Sequence, residues 1–179
     1  MLEIHVNTQE LYDETTGKFV IAKPLTVLME HSLVSLSKWE SKHEKPFLGR
    51  EEKTTAEIMD YMTYMLVGEN PPVDVVHRFT SKNYSDILEY INAKQTATWF
   101  VDKPTAPSRE TITSELIYYW MISFSIPIQC ETWHLNRLLT LIRVCNVKNQ
   151  PQKKTSRGDL ARRNRELNAQ RREQYGTRG

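Results

Sequence analysis

Cysteine is scarce: the 179 residues contain two, Cys130 and Cys145, both in an apolar stretch. Two thiols cannot build the disulfide frame of a small secreted domain, and reduced core thiols are the plain reading. Glycine is equally thin. The six glycines are scattered, and no GxGxxG, Walker A or GxSxG pattern occurs, so no phosphate-cradling loop or strained nucleophile turn is encoded. No window approaches the ~18 apolar residues that a membrane helix needs. The first residues, MLEIHVNTQELYDE, are acidic and alternating, unlike a signal peptide. Carboxylates are abundant, yet none pair on an apolar face in a way that suggests acid–base work. No enzyme and no cofactor are expected.

What is present is a segregation of charge. From Lys148 onward there are 10 Lys/Arg against 3 Asp/Glu, net +7, which with an overall +2 leaves −5 on the first 147 residues. An acidic globule with a basic tail is therefore expected, divided into a body over 1–147 and a tail over 148–179. The tail has only Leu160 and Leu167 as large aliphatics, one heptad apart. A helix over about 159–173 would show too narrow a stripe to fold alone, so a disordered tail or a solvated helix is expected.

The most apolar segment runs from Thr111 to Val147 and is split by Ser125-Ile126-Pro127. Its second half repeats Leu135, Leu138, Leu139, Ile142 and Cys145 at helical spacing. Its first half repeats Ile112, Leu116, Tyr119, Trp120 and Ser123, widened by Ile117 and Met121. Together they predict a helical hairpin at the centre of a mainly α fold. Asn136 and Arg137 interrupt the second helix and read as a register device in the hairpin seam, or else as side chains turned to water.

Towards the N-terminus, Leu2–Val6 and Lys18–Ala22 alternate around the turn-prone Asp13–Gly17. They predict a small β-hairpin packed on the helices. Leu25, Leu28, Met29, Leu33, Leu36 and Trp39 predict a helix from Leu25 to the region of Pro46, with His31 and His43 on its polar side. Thr54 and Glu57 form a capping box for a helix burying Ile58, Met59, Met62, Met65 and Leu66 and ending at Gly68. A short helix is expected from Pro72 to Arg78, and another, capped by Ser81 or Asn83, through Ile87, Leu88, Tyr90 and Ile91. Gln95–Val101 is β-prone but too short to assign, and Lys103–Ser108 reads as a loop.

Each candidate chemistry has a plainer reading. Cys130 and His134 are four apart, the spacing of two ligands on one helix face. No second pair completes a zinc site, which favours a core thiol and a partly buried histidine over a metal. Burial would also blunt a nucleophilic thiol. Trp99, Phe100, Tyr118, Tyr119, Trp120 and Trp133 neighbour Ile, Leu and Met, so packing is expected rather than base stacking. The Met-rich face reads first as core filler. As a partner site, the groove beside Trp39 and the face of Met59, Met62 and Met65 would take an amphipathic helix. Arg162, Arg163, Arg165, Arg171 and Arg172 would add electrostatic reach, either to an acidic protein surface or weakly to nucleic acid.

The succession SLSKWESKHEKPFL (Ser35–Leu48), QTATWF (Gln95–Phe100) and ITSELIYYWMISFSIPIQCETWHLNRLLTLIRVCN (Ile112–Asn146), closed by a basic terminus, resembles the tail assembly chaperones of tailed bacteriophages. That resemblance implies a non-enzymatic protein of the host cytoplasm. It would bind the phage tape-measure protein, keep its long apolar helices soluble and help recruit tail-tube subunits, with oligomers allowed and no membrane partner. The family carries no residue-level functional motif, so the nine partner-binding candidates rest on physics. A virion connector or structural protein, and a nucleic-acid binder acting through the tail, are the alternatives.

Overall fold

The computed structural model describes residues 1–13, 15, 17–68, 73–100, 111–150 and 157–176. The chain separates into two units, the body Met1–Val147 and the arm Lys148–Gly179. The expectation of a mainly α fold is overturned. Of the described residues 57% are helical and 15% lie in strands, with two small antiparallel sheets among them, an α+β composition.

In chain order the body holds β1 (Leu2–Val6), β2 (Gln9–Asp13), β3 (Lys18–Ala22), β4 (Leu25–Met29), α1 (Leu33–His43), α2 (Thr55–Met65) and β5 (Leu66–Val67). A 3₁₀ turn (Val73–Arg78), α3 (Ser81–Asn92), α4 (Ser114–Ser123), a second 3₁₀ turn (Ile128–Thr132) and α5 (Leu135–Asn149) follow. The arm contains α6 (Arg157–Tyr175).

Strand pairing departs from the sequence reading. β1 pairs with β4, not β3, in a three-stranded sheet of order β1-β4-β5, while β2 and β3 form a ribbon of their own. The register Leu2↔Met29 to Val6↔Leu25 puts Ile4, Val6, Val27 and Met29 on the buried face. Leu25–Met29 is therefore a strand, not the start of a helix. Its leucines fit a 3.6-residue period, but Val27 and Met29 fit period two and are the residues buried. Glu30 N–H then bonds Met65 O at 2.8 Å, continuing the seam beside β5.

The helix begins at Leu33 because Ser32 caps it. Its hydroxyl accepts from Ser35 N–H while the Ser35 hydroxyl accepts from Ser32 N–H, a reciprocal box. Thr54 and Glu57 cap α2 in the same way, and Thr80 with Asn83 caps α3, one position from the expected cap. α2 ends at Met65, because Leu66–Val67 leave the helix to pair with Leu28 and Met29; Gly68 lies beyond that strand. The Pro72 start of the 3₁₀ turn and the Lys103–Ser108 loop fall outside the described residues. Gln95–Phe100 forms no strand.

Two apolar clusters fill the body. One gathers the sheet's inner face with Trp39, Tyr61, Met62, Met65, Val75, Val76, Phe79 and Ile87. The other joins Leu33 and Leu36 to Ile117, Met121, Cys130, Leu135, Leu138 and Ile142. The expected central hairpin is not what forms: α4 packs against α1, and α4 and α5 share that cluster through it. The buried stripe of α4 is Ser114, Ile117 and Met121, whereas Tyr119 is exposed and Ile112 lies at the surface.

Buried polar groups tie the layers together. Glu40 Oε1 accepts from Phe47 N–H at 2.8 Å, and its Oε2 accepts from Ser114 N–H at 2.6 Å. One carboxylate therefore satisfies a free amide at the start of α4 and another after α1. Asn136 donates both amide hydrogens, to Ile91 O (3.0 Å) and Ala93 O (2.9 Å). It fixes α5 against the last turn of α3, a register device outside the expected seam.

Candidate functional site

The β2–β3 ribbon exposes most of its large apolar side chains. Its pairs are Leu11↔Val20, Tyr12↔Phe19 and Glu10↔Ile21. Partners in an antiparallel pair share a face, so Tyr12, Phe19 and Ile21 lie on one side. These three are 57%, 68% and 68% exposed, and Leu11 and Val20 on the opposite side are exposed too. The rings of Tyr12 and Phe19 meet edge to face at 5.2 Å between centroids. A two-stranded ribbon is marginal in water. An apolar face of this kind is a candidate surface for a partner.

The base of the ribbon is held while its face stays open. Arg78, buried at the end of the 3₁₀ turn, donates from Nη2 to Asn7 O (3.0 Å), Ala22 O (3.4 Å) and Lys23 O (2.7 Å). Gln9 Nε2 in turn donates to Arg78 O at 2.9 Å. Both strands are thus gripped where they leave the body. Gly17, at φ 65°, takes the left-handed conformation at the entry to β3.

The partner candidates chosen from sequence land in two different settings. Trp39, Met62 and Met65 are buried in the first apolar cluster and Met59 is partly buried against it. The indole N–H of Trp39 donates to Glu57 O at 2.8 Å. These residues form interior packing, not an open groove, because β1, β4 and the Val73–Arg78 turn supply the rest of the same cluster. By contrast, Arg162, Arg163, Arg165, Arg171 and Arg172 are all exposed on α6. At 3.6 residues per turn, Arg165 and Arg172 share one face with Arg162 beside them, while Arg163 and Arg171 point elsewhere.

A second concentration of polar chemistry escaped the sequence reading. His31 Nδ1 stands 2.5 Å from the Tyr61 hydroxyl, and its ring packs at 5.2 Å against that of His134. His134 Nε2 meets Tyr90 O at 3.0 Å. The Tyr90 hydroxyl donates to Glu30 Oε1 at 2.7 Å, and Glu30 Oε2 pairs with the Met1 amine at 2.8 Å. Burial, reinforced by the neighbouring His134, lowers the His31 pKa to about 4. Burial lowers that of His134 as well, and it raises the phenols of Tyr61 and Tyr90. All four groups are thereby held neutral. His31 is therefore not on the polar side of a helix but inside the body, where Leu135 N–H bonds its carbonyl at 2.7 Å. Cys130 lies in the 3₁₀ turn and His134 beyond it, so the two do not share a helix face. Among the described residues no group of three or more His, Cys, Asp or Glu is placed to hold a metal ion. Among them, too, no helix is long and apolar enough to cross a membrane.

No family profile, curated protein or solved structure matches this chain.

Two aromatic assignments also change, Tyr119 among them. Trp120, Trp133 and Tyr118 are partly buried against the second cluster, as expected. Trp99 is not: it is 75% exposed. Lys94 Nζ sits 3.7 Å from its ring centroid, and the Arg143 guanidinium lies 4.2 Å from that of Phe100. The cations come from the end of α3 and from α5, 43 residues further along than Phe100 in the case of Arg143. Reading only the sequence neighbours of the two rings could not find Arg143, although Lys94 stands just five residues before Trp99.

Proposed function

We propose that this protein is a non-enzymatic tail assembly chaperone of a tailed bacteriophage, acting in the host cytoplasm. In this reading the Tyr12–Phe19–Ile21 face of the ribbon takes an apolar stripe of the tape-measure protein. The arginines of α6 add attraction to acidic segments of the same client, and tail-tube subunits are recruited to the complex. The exposed apolar face on a ribbon anchored only at its base is the observation that carries the protein-binding part. The resemblance of Ser35–Leu48, Gln95–Phe100 and Ile112–Asn146 to the chaperone group supplies the identity of the client.

Covering an apolar side chain contributes about 1.5–3 kcal/mol. Replacing both Phe19 and Ile21 by serine should therefore weaken capture of a co-expressed tape-measure product at least about tenfold. Neutralising Arg162, Arg163, Arg165, Arg171 and Arg172 should cost less and make the remaining binding less sensitive to salt. Equal recovery by the ribbon variant and the unaltered chain would remove the ribbon from this role.

A further inference from the structure

We infer that α6 is a recognition helix for duplex DNA. It would sit in the major groove with Asn164 and Asn168 towards the base edges and Arg165, Arg171 and Arg172 towards the two phosphate walls. The inference goes beyond client capture and does not depend on it. A duplex and an acidic client segment would compete for the same arginines.

The helix has no apolar face to pack. Residues 161–175 are all exposed, and Leu167 is the one large aliphatic among them. Such a helix gains little from an apolar partner, so charge and hydrogen bonding decide what it holds.

Its sequence sorts those groups by direction. At about 100° per residue, Asn164 and Asn168 stand one turn apart and only ~40° from each other. With Tyr175 between them in projection they form a central strip. Arg171 borders that strip on one side, Arg165 and Arg172 on the other, all within roughly 80° of its centre. Glu166 and Glu173 are seven apart and lie on the opposite face.

The major groove of B-DNA fits this order of groups. It is ~12 Å wide, and an α-helix with its side chains is about 10–12 Å across. The 19 residues of α6 span about 28 Å, most of one duplex turn of ~34 Å. Phosphates on both walls meet the two arginine flanks, and the two glutamates turn away from the DNA. The asparagines face the floor, where an Asn amide can pair with adenine through two hydrogen bonds. A lipid surface would need an apolar strip where the two asparagines stand. An acidic helix would engage the arginines but leave those amides unused. The major groove of A-form RNA is too deep and narrow to admit the helix.

The test titrates the full chain, by anisotropy over a range of salt, against fluorescein-labelled duplexes of about 20 base pairs. One duplex contains A·T pairs and one is G·C only; an RNA hairpin is the third probe. Arg171→Gln and Arg172→Gln should each lower the slope of log K against log salt by about one. Arg163→Gln, on neither flank, should leave it nearly unchanged. Asn164→Ala with Asn168→Ala should keep the slope but reduce the preference for the A·T-containing duplex about fivefold or more. All these positions are exposed, so no core packing is touched. Absence of duplex binding, tighter binding of the RNA hairpin, equal slopes for Arg163→Gln and Arg171→Gln, or indifference to the asparagine pair would each overturn the inference. The Phe19→Ser, Ile21→Ser variant should bind the duplex as the unaltered chain does, so failure here is separable from failure of client capture.

Discussion

His31 and Tyr61, thirty residues apart in sequence, face each other with 2.5 Å between Nδ1 and the phenol oxygen inside the body. The contact joins the entry of α1 to the middle of α2. It also places a titratable ring where water cannot solvate its charged form, with His134 packed on its side and Glu30, Tyr90 and the Met1 amine completing the surroundings.

A pH dependence of stability follows from that burial. The His31 pKa falls from its ordinary 6.5 to about 4 on folding. Between those values the unfolded chain holds a proton that the folded chain refuses, so stability rises with pH. The contribution is complete above pH ~6.5 and is lost as the pH falls towards 4, by roughly 2–3 kcal/mol. Urea midpoints at pH 7.5 and 4.5 measure it, and His31→Gln should shrink the difference between them. Equal midpoints in the unaltered chain would contradict the buried neutral imidazole.

Glu40 offers a sharper test of a single atom. Changing it to glutamine replaces one acceptor oxygen by an N–H₂ group that must face a backbone N–H. The amide of Phe47 or of Ser114 then loses its partner. A loss of about 2 kcal/mol is expected, read from denaturant unfolding. A change below ~0.5 kcal/mol would show that the carboxylate does not serve both amides in solution.

Arg78→Met removes the grip at the foot of the ribbon while keeping most of the side-chain volume. Stability should drop by about 1–3 kcal/mol, because the carbonyls of Asn7, Ala22 and Lys23 lose a donor. Hydrogen exchange over residues 18–22 should accelerate by about tenfold or more beyond any change in α2. Uniform acceleration throughout the body would mean that the arginine is not a local anchor.

The serine substitutions at Phe19 and Ile21 should leave the isolated protein almost as stable as before, within ~0.5 kcal/mol, since both side chains already lie in water. Thermal unfolding decides this. A loss of several kcal/mol would show that the two residues are packed in the free protein, and that the face is not open to a partner.

Where local chemistry dictates local structure, the sequence was a good guide. The Thr54–Glu57 box announces α2, and the spacing of Leu135, Leu138 and Ile142 announces the buried stripe of α5. Strand partners are a different matter. Nothing within Leu2–Val6 distinguishes β3 from β4 as its neighbour, because both candidates bring short apolar segments and the choice is made by burial against α2 and α3. Leu25–Met29 satisfies helical and strand periods at once, and only the sheet resolves the ambiguity. The ribbon face carried a faint signal in Phe19-Val20-Ile21, three apolar residues in a row that cannot all point inward from one strand. The His31–His134 and Lys94–Trp99–Arg143 groupings had no signal of comparable strength, since their members are assembled by the packing of separate elements.

Helix α1 supplies Trp39 to one apolar cluster and Leu33 and Leu36 to the other, and Phe47 just beyond it packs against both. Neither half of the body has a complete floor without this single span. The two interiors must therefore be gained and lost together, and heat or denaturant should take the body through one concerted transition rather than melting a sheet layer and a helix layer in turn.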